Sequence, residues 1–279
     1  MKNRVHDISV IIVTWNTAHL LEECLNSVIK SLQNVDGGEL ILVDNNSSDN
    51  SAFFVEQNYP QICLIKNDKN LGFSKANNKG IEISTGRYML LLNSDTILNE
   101  NVLPDLVRFM DAHPDAGACG VRLLRPDGTV QPFSFGKDPT LGYLIKRAAT
   151  KLLLKKHCHN WNLEYVFEPD WVSGACLMMR SEVIHLTGLL DENIFMYFED
   201  NDLCLRIRNA GFKVYFNPHI SVLHIGGQSL KKNPQAQDYY YRSLRYFYKK
   251  HYKVTEQFVL KILLIAYKLI NGYSRENHY

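Results

Sequence analysis

The chain has 279 residues, 46% of them hydrophobic and 22% charged, enough for one large core and too apolar for a disordered chain. Its formal net charge of +2 lacks the basic footprint of a general nucleic-acid binder, so no nucleic acid is expected as a partner. None of the six cysteines forms a Cys-x-x-Cys pair; they read as small hydrophobes in a reducing, cytoplasmic setting rather than as a disulfide frame.

The run Ile8–Val13 is continuous and β-branched. It is too short for the core of a signal peptide and reads as a first strand buried on both faces. Leu21, Cys24, Leu25, Val28, Ile29 and Leu32 recur at helical spacing, with Asn16 or Thr17 placed to cap. Glu39–Val43 and Ile62–Ile65 predict second and third strands, Ser74–Ser84 a helix, and Tyr88–Leu92 a fourth buried strand. This βαβα order predicts an α/β fold with a mostly parallel, Rossmann-like central sheet and helices on both faces. Ligands of such sheets bind beyond the carboxyl ends of the strands. Three polar clusters fall there: Thr14-Trp15-Asn16, Asp44–Asp49 and Asn93-Ser94-Asp95.

Beyond Asn99 the pattern loosens. Val102, Leu106, Phe109 and Met110 mark a helix leading to Ala116–Val121, and Arg125–Gly128 is a turn. Lys146–Lys156 is basic and reads as helical. His157-Cys158-His159 is a loop, because three adjacent residues do not converge on one ion and zinc spacings are absent. Trp171–Met179 reads as one buried strand. Phe195–Asp200 opens a helix through Leu203, Ile207 and Ala210 that Gly211 closes. Lys213–Phe216 and Ser221–His224 are further short strands. No stretch is apolar enough to span a bilayer. Tyr239–Lys253 interleaves Tyr, Arg and Lys, and Lys261 and Lys268 interrupt the apolar run Phe258–Ile270. As a helix, that run fits either a membrane interface, with its lysines snorkelling, or packing on the domain or on a second subunit, as in a homodimer.

Four features carry chemistry. Asp44 ends a strand, where a carboxylate accepts from a base N–H or a ribose hydroxyl and where Asp, Asn and Ser also simply form turns. Asp95 closes another strand beside Asn93 and Ser94, a way to hold Mg²⁺ or Mn²⁺ completed by phosphate and water, or equally a helix cap. Glu199-Asp200-x-Asp202 crowds three acids against aromatics. That setting raises a carboxylate pKa toward a useful value, but acids also suit a helix N-terminus, and Asp202 is spaced to pair with Arg206. His224 is either a packed residue or a ligand for Mn²⁺. Dinucleotide, P-loop and nucleophile-elbow glycine motifs are all absent. The segment Thr14–His19 also lacks the basic loop a nucleotidyltransferase requires.

In order along residues 8–230, the sequence resembles glycosyltransferase family two, inverting enzymes with a GT-A fold. The phrases are Val10–Asn16, Val43–Asp49, Asn70–Asn77, Leu91–Thr96, Trp171–Ala175, Phe198–Asp202 and His224. Within the family it is most similar to bacterial rhamnosyltransferases of surface polysaccharide synthesis, apart from Ser94 where those have Pro. The resemblance implies a GT-A domain over 1–230, with a nucleotide-sugar half to about 98 and an acceptor half beyond, followed by a helical extension over 231–279. It implies Asp44 on the pyrimidine, with Thr14, Asn16, Asn70, Gly72, Phe73, Asn77, Asn93 and Ser94 lining the nucleotide-sugar pocket. Asp95 with His224 would hold Mg²⁺ or Mn²⁺, Asp200 would be the base, and Trp171, Gly174 and Glu199 would shape the acceptor side. The implied donor is dTDP-rhamnose, with a UDP-sugar such as UDP-hexose or UDP-galactofuranose as the alternative. The implied acceptor is a saccharide or lipid-linked saccharide, which suits a protein peripheral on the inner face of the membrane. A non-catalytic sugar-nucleotide-binding relative is the remote alternative, disfavoured by retention of both Asp95 and Asp200.

Overall fold

The computed structural model describes residues 6–226 and 235–276. Strand β1 (His6–Thr14) is the hub of the first half. It pairs in parallel with β2 (Gly38–Asp44) on one side and β4 (Gly86–Asn93) on the other, and β2 pairs in parallel with β3 (Cys63–Lys66). Burial on both faces explains the apolar run, interrupted only by Ser9: Ile8, Val10 and Ile12 enter one core cluster and Ile11 the other. The first face is covered by α1 (Ala18–Leu32), α2 (Ser51–Asn58) and α4 (Val102–Ala112), the second by α3 (Gly72–Ile83), α6 (Ser181–Thr187) and α7 (Glu199–Asn209). Neither Asn16 nor Thr17 makes a side-chain cap at α1; the Thr17 hydroxyl instead bonds Thr14 Oγ1 (2.7 Å) and Ser94 Oγ (2.9 Å).

The second half extends the same sheet, in the order β3-β2-β1-β4-β9-β6-β10-β5, with β5 at Thr96–Ile97, β6 at Ala116–Leu124, β9 at Cys176–Arg180 and β10 at Lys213–His224. Strand β9 runs antiparallel between β4 and β6, while β10 is parallel to β6 and antiparallel to β5. A separate ribbon pairs β7 (Phe135–Gly136) with β8 (Trp171–Val172), and α5 (Leu141–Leu154) follows β7. The α/β class with a Rossmann-like parallel half is therefore as expected.

Several expected elements differ in detail. Trp171–Met179 is two strands, because Ser173–Ala175 leaves the sheet: Ser173 N donates to Ser134 O (2.9 Å) and Gly174 N to Asp200 Oδ2 (3.3 Å). The two short strands expected over 213–224 are one, β10, whose register shifts between Asn217 and Ser221, where Pro218 lacks a ladder N–H. The acidic helix begins at Glu199 rather than Phe195, because Tyr197 and Phe198 sit at φ of 68° and 69°, which no helix accommodates. The helix expected over Lys146–Lys156 is α5, which starts earlier, at the Thr140 cap, where Oγ1 accepts from Tyr143 N at 3.2 Å.

Two C-terminal helices follow, α8 (Ala236–His251) and α9 (Val254–Glu276). Leu244, Phe247 and Tyr248 of α8 bury Phe198 together with Leu260 of α9. Among the described residues no helix is long and apolar enough to cross a membrane.

Candidate active site

The carboxyl ends of β1, β2 and β4 lie side by side, so the three polar clusters converge as the topology requires. Much of this polar surface holds itself together. Asn16, at φ 57°, accepts through Oδ1 from Ser48 N (2.7 Å) and Asp49 N (3.3 Å), fixing the loop after β2. Asn45 Nδ2 donates to Asn70 Oδ1 (2.9 Å), which also accepts from Gly72 N (2.9 Å). Asn77 Nδ2 donates within α3 to Phe73 O at 2.9 Å. Gly72 is at φ +81°, and a Cβ there would lie 2.6 Å from Phe195 O and from its ring. The close approach at this glycine is therefore by Phe195, whose carbonyl accepts from Phe73 N at 2.7 Å. Asp44 is buried; its Oδ2 accepts from Ser47 N (3.1 Å), while Oδ1 has no partner. A buried acceptor without a donor is costly, and a base N–H would satisfy it.

Beside these loops opens a cleft of about 380 Å³. Trp15, Asn70, Phe73, Asn93, Ser94, Asp95, Gly174 and His224 line it, whereas Thr14, Asn16, Asp44, Gly72 and Asn77 are not among its lining residues. Asp95 and His224, 129 positions apart in sequence, face each other with Oδ1 and Nε2 3.2 Å apart. Strand β10 delivers His224 opposite Thr96 of β5, which places it next to Asp95. Asp95 Oδ2 accepts from Gly226 N at 3.1 Å. His224 Nδ1 bonds Gln131 Oε1 at 2.7 Å, so Nδ1 carries the proton and the Nε2 lone pair points toward Asp95, where Asn93 Nδ2 also reaches it at 3.3 Å. A carboxylate oxygen and an imidazole lone pair this close attract only with a cation or proton between them. Among the described residues no three metal-ligating side chains group together. An ion here would therefore have two protein ligands and complete its shell with phosphate and water, the habit of Mg²⁺.

A second, aromatic cavity of about 340 Å³ adjoins this cleft; both are lined by Phe133, Ser173, Tyr197, Glu199 and Asp200. Asp200 sits in the first turn of α7, where Gly174 N (3.3 Å) and Asn201 N (2.8 Å) donate to it. Burial nonetheless pushes its pKa up to about 6, and the backbone donors offset only part of that. Glu199 is more deeply buried. Its Oε2 has no partner, and burial followed by the Asp200 charge raises its pKa well above the usual range. Asp202 is different in kind. Although fully buried, it is ion-paired with Arg206 (2.9 Å), Lys250 (2.7 Å) and His251 (2.7 Å). Burial alone would raise its pKa; these partners hold it below the usual carboxylate value. Trp171 lines the aromatic cavity, its indole Nε1 donating to Lys137 O at 3.0 Å.

Sequence reasoning passed over four groups that the fold brings here. Gln131 orients His224, and Trp15 was seen only as part of a polar cluster. Tyr197 stands between the two cavities. Phe133, Phe135, Trp161 and Tyr240, with Arg147 and His159, wall the aromatic one. Of these only Trp15 lies in one of the family-like phrases, Val10–Asn16.

The sequence model of the family described as Glycosyl transferase family 2 matches residues 9–162, more than half of the chain. An N-acetylglucosaminyl-diphospho-decaprenol L-rhamnosyltransferase of Mycobacterium tuberculosis is 29% identical over 249 residues, covering 82% of this chain and 79% of its own length. Among solved structures, the mannosyltransferase PcManGT of Pyrobaculum calidifontis, in complex with GDP-Man and Mn²⁺, is similar with a TM-score of 0.56 and 18% identity over 93% of this chain and 66% of that one. The S. aureus TarS 1-349 structure is similar with a TM-score of 0.55 and 19% identity; the match covers 81% of this chain and 62% of that chain, less than two thirds of its length. The expected GT-A type of fold is thereby established.

Proposed function

We propose that this chain, which belongs to glycosyl transferase family 2, moves a sugar from a nucleoside diphosphate onto an acceptor hydroxyl in cell-surface glycan synthesis, with inversion at the anomeric carbon. The observation that carries the reading is the position of Asp200, a carboxylate of raised pKa on the wall shared by two cavities. One cavity contains the Asp95–His224 pair and the other is aromatic.

The donor lies in the cleft with Asp95 and His224, the acceptor in the aromatic cavity. Asp200 takes the proton of the acceptor hydroxyl as that oxygen bonds to the anomeric carbon. The bond from that carbon to the diphosphate oxygen breaks, and the nucleoside diphosphate leaves with both electrons. One displacement from the opposite face inverts configuration and needs one base, worth roughly 10²–10⁴-fold. Asp95 and His224 would hold Mg²⁺ or Mn²⁺, which when bound neutralises charge on the diphosphate. Asp44 Oδ1 is free to accept from a pyrimidine N–H. Glu199, whose pKa burial and the Asp200 charge raise, lines the acceptor cavity beside Asp200.

The donor we favour is dTDP-rhamnose and the acceptor a lipid-linked saccharide, in keeping with the mycobacterial relative's name. Peripheral contact with the inner face of the membrane fits the C-terminal helix. Phe258, Val259, Ile262 and Ile265 of α9 are exposed beside Lys261, and α9 touches α5, whose Leu152, Leu153 and Leu154 are also exposed. Deleting residues 255–279 should then release the protein from anionic liposomes; a change of oligomeric state instead would favour the homodimer.

The test of the function is a panel of nucleotide sugars with Mg²⁺ or Mn²⁺, read by thermal stabilisation and by release of nucleoside diphosphate. dTDP-rhamnose should rank first. Preference for UDP-hexose or UDP-galactofuranose would move the chain to that donor class, and no stabilisation by any nucleotide sugar would refute the transferase reading.

A further inference from the structure

We infer that the aromatic cavity contains a phosphate-recognising corner built by Arg147, Lys137 and His159, and that it reads a phosphate or diphosphate carried by the acceptor. The inference rests on the assignment of this cavity to the acceptor. Arg147 comes from the middle of α5, Lys137 from the segment just after β7 and His159 from the loop after α5, yet all three line the cavity that contains Asp200.

Arg147 is the distinctive member. Among the described residues the other half-buried guanidiniums are matched by carboxylates, Arg206 by Asp202, Arg208 by Asp138, Arg87 by Asp7 and Asp111, Arg122 by Glu164 and Arg180 by Glu182, and only exposed arginines such as Arg125 and Arg245 also lack one. Among the described residues Arg147 has no ion pair. Its Nη2 donates to the neutral Tyr240 hydroxyl at 3.1 Å. A half-buried guanidinium without a counter-charge is costly, and a phosphate matches its planar donors better than any other anion except a carboxylate. Lys137 is only loosely engaged, 3.9 Å from Asp170. His159 Nε2 bonds the Tyr143 hydroxyl at 2.7 Å. Its pKa is lowered by burial and then by the charges of Lys137, Arg147 and Lys146, which marks these cations as its neighbours.

The chemistry that fits is a phosphorylated acceptor: its phosphate against Arg147, its sugar toward Asp200, and an apolar part along the ring faces. Two sources share that chemistry, a prenyl diphosphate saccharide and a soluble sugar phosphate. Further along α5, Leu152, Leu153 and Leu154 are 62%, 76% and 63% exposed, and Lys151, Lys155 and Lys156 accompany them. That places apolar surface where a prenyl chain would leave.

The experiment measures binding of farnesyl diphosphate, farnesol and inorganic pyrophosphate to the full chain in EDTA, and of dTDP-rhamnose with Mn²⁺ as a separate readout. Farnesyl diphosphate should bind at least about tenfold more tightly than farnesol, and Arg147→Gln should cost about 10–100-fold with dTDP-rhamnose affinity unchanged. Tyr240→Phe, which removes the hydrogen bond but keeps the charge, should cost less than about threefold; a loss equal to that of Arg147→Gln would mean a structural arginine and overturn the inference. Pyrophosphate binding as tightly as farnesyl diphosphate assigns the corner to soluble phosphates, and weaker binding assigns it to the prenyl-linked form. Equal affinity for farnesol, or no effect of Arg147→Gln, would overturn it. Failure of dTDP-rhamnose to bind wild-type protein strikes the donor reading and leaves the Arg147 result to stand or fall separately.

Discussion

The two halves of the site are held by opposite means. On the proposed donor side most polar groups satisfy one another, Asp44 Oδ1 excepted: Asn16 clamps Ser48 and Asp49, Asn45 links Asn70 to Gly72, and Thr17 ties Thr14 to Ser94. On the proposed acceptor side the carboxylates are left wanting. Glu199 Oε2 has no partner, burial raises the pKa of Asp200, and Tyr197 and Phe198 are held left-handed. That strain persists because α8 over-determines it. Tyr239 stacks on Phe195 at 4.5 Å, Ser243 Oγ donates to Met196 O at 2.8 Å, and Phe247 packs on Phe198. A largely self-bonded loop stores little cost beyond the unpartnered Asp44 Oδ1. A site that moves a proton keeps a carboxylate where its charge is poorly solvated.

This contrast is sharpest within α7, where two acids two residues apart should respond oppositely. Asp200→Asn should lower turnover by about 10²–10⁴-fold while donor affinity stays within a few fold, read by single-turnover transfer beside calorimetry. Near-normal turnover, with Glu199→Gln or Asp202→Asn inactive, would move the base elsewhere in the run. Asp202→Ala should instead destabilise the fold by about 3 kcal/mol, because it strips a buried partner from Arg206, Lys250 and His251; denaturant unfolding with no loss would erase the distinction.

Two smaller effects refine the comparison. Gln131→Ala should weaken the response of donor binding to Mn²⁺ by about 10–100-fold through the tautomer of His224, and an unchanged metal titration would remove Gln131 from the site. The Asp200 carboxyl titrates higher in the folded state, at about 6, than unfolded, at about 3.9. Its ionisation thus opposes folding increasingly as pH rises through that window. Asp200→Asn should raise the melting temperature at pH 7 and leave it little changed at pH 4, while wild-type turnover falls as pH drops through about 6. A melting difference that is the same at both pH values would contradict the raised pKa.

The same contrast decided what the sequence made legible. Strand β1 could be read because burial on both faces writes a run of β-branched residues, and Asp44 and Asp95 because strand ends in an α/β sheet are where polar clusters carry meaning. Helix α2 escaped notice because its apolar residues Phe53, Phe54 and Val55 are adjacent rather than spaced by a helical period. The break at Ser173–Ala175 is set by partners 26 and 39 positions away, Asp200 and Ser134, and no local pattern announces it. The left-handed pair Tyr197–Phe198 carries no glycine to mark it, and Gln131 and Arg147 matter only through tertiary neighbours. The Glu199-Asp200-x-Asp202 run was visible as a cluster, and Asp202 was correctly paired with Arg206, but Lys250 and His251 arrive from α8.

The proposed mechanism is a single displacement with Asp200 as the only essential base. Its most direct test is the anomeric configuration, by NMR, of the product formed from dTDP-rhamnose, Mn²⁺ and a prenyl-diphosphate-linked N-acetylglucosamine acceptor. A single displacement gives a linkage of configuration opposite to the donor's, formed by wild-type protein and lost in Asp200→Asn. A product that retains the donor's configuration would require a second displacement and contradict it.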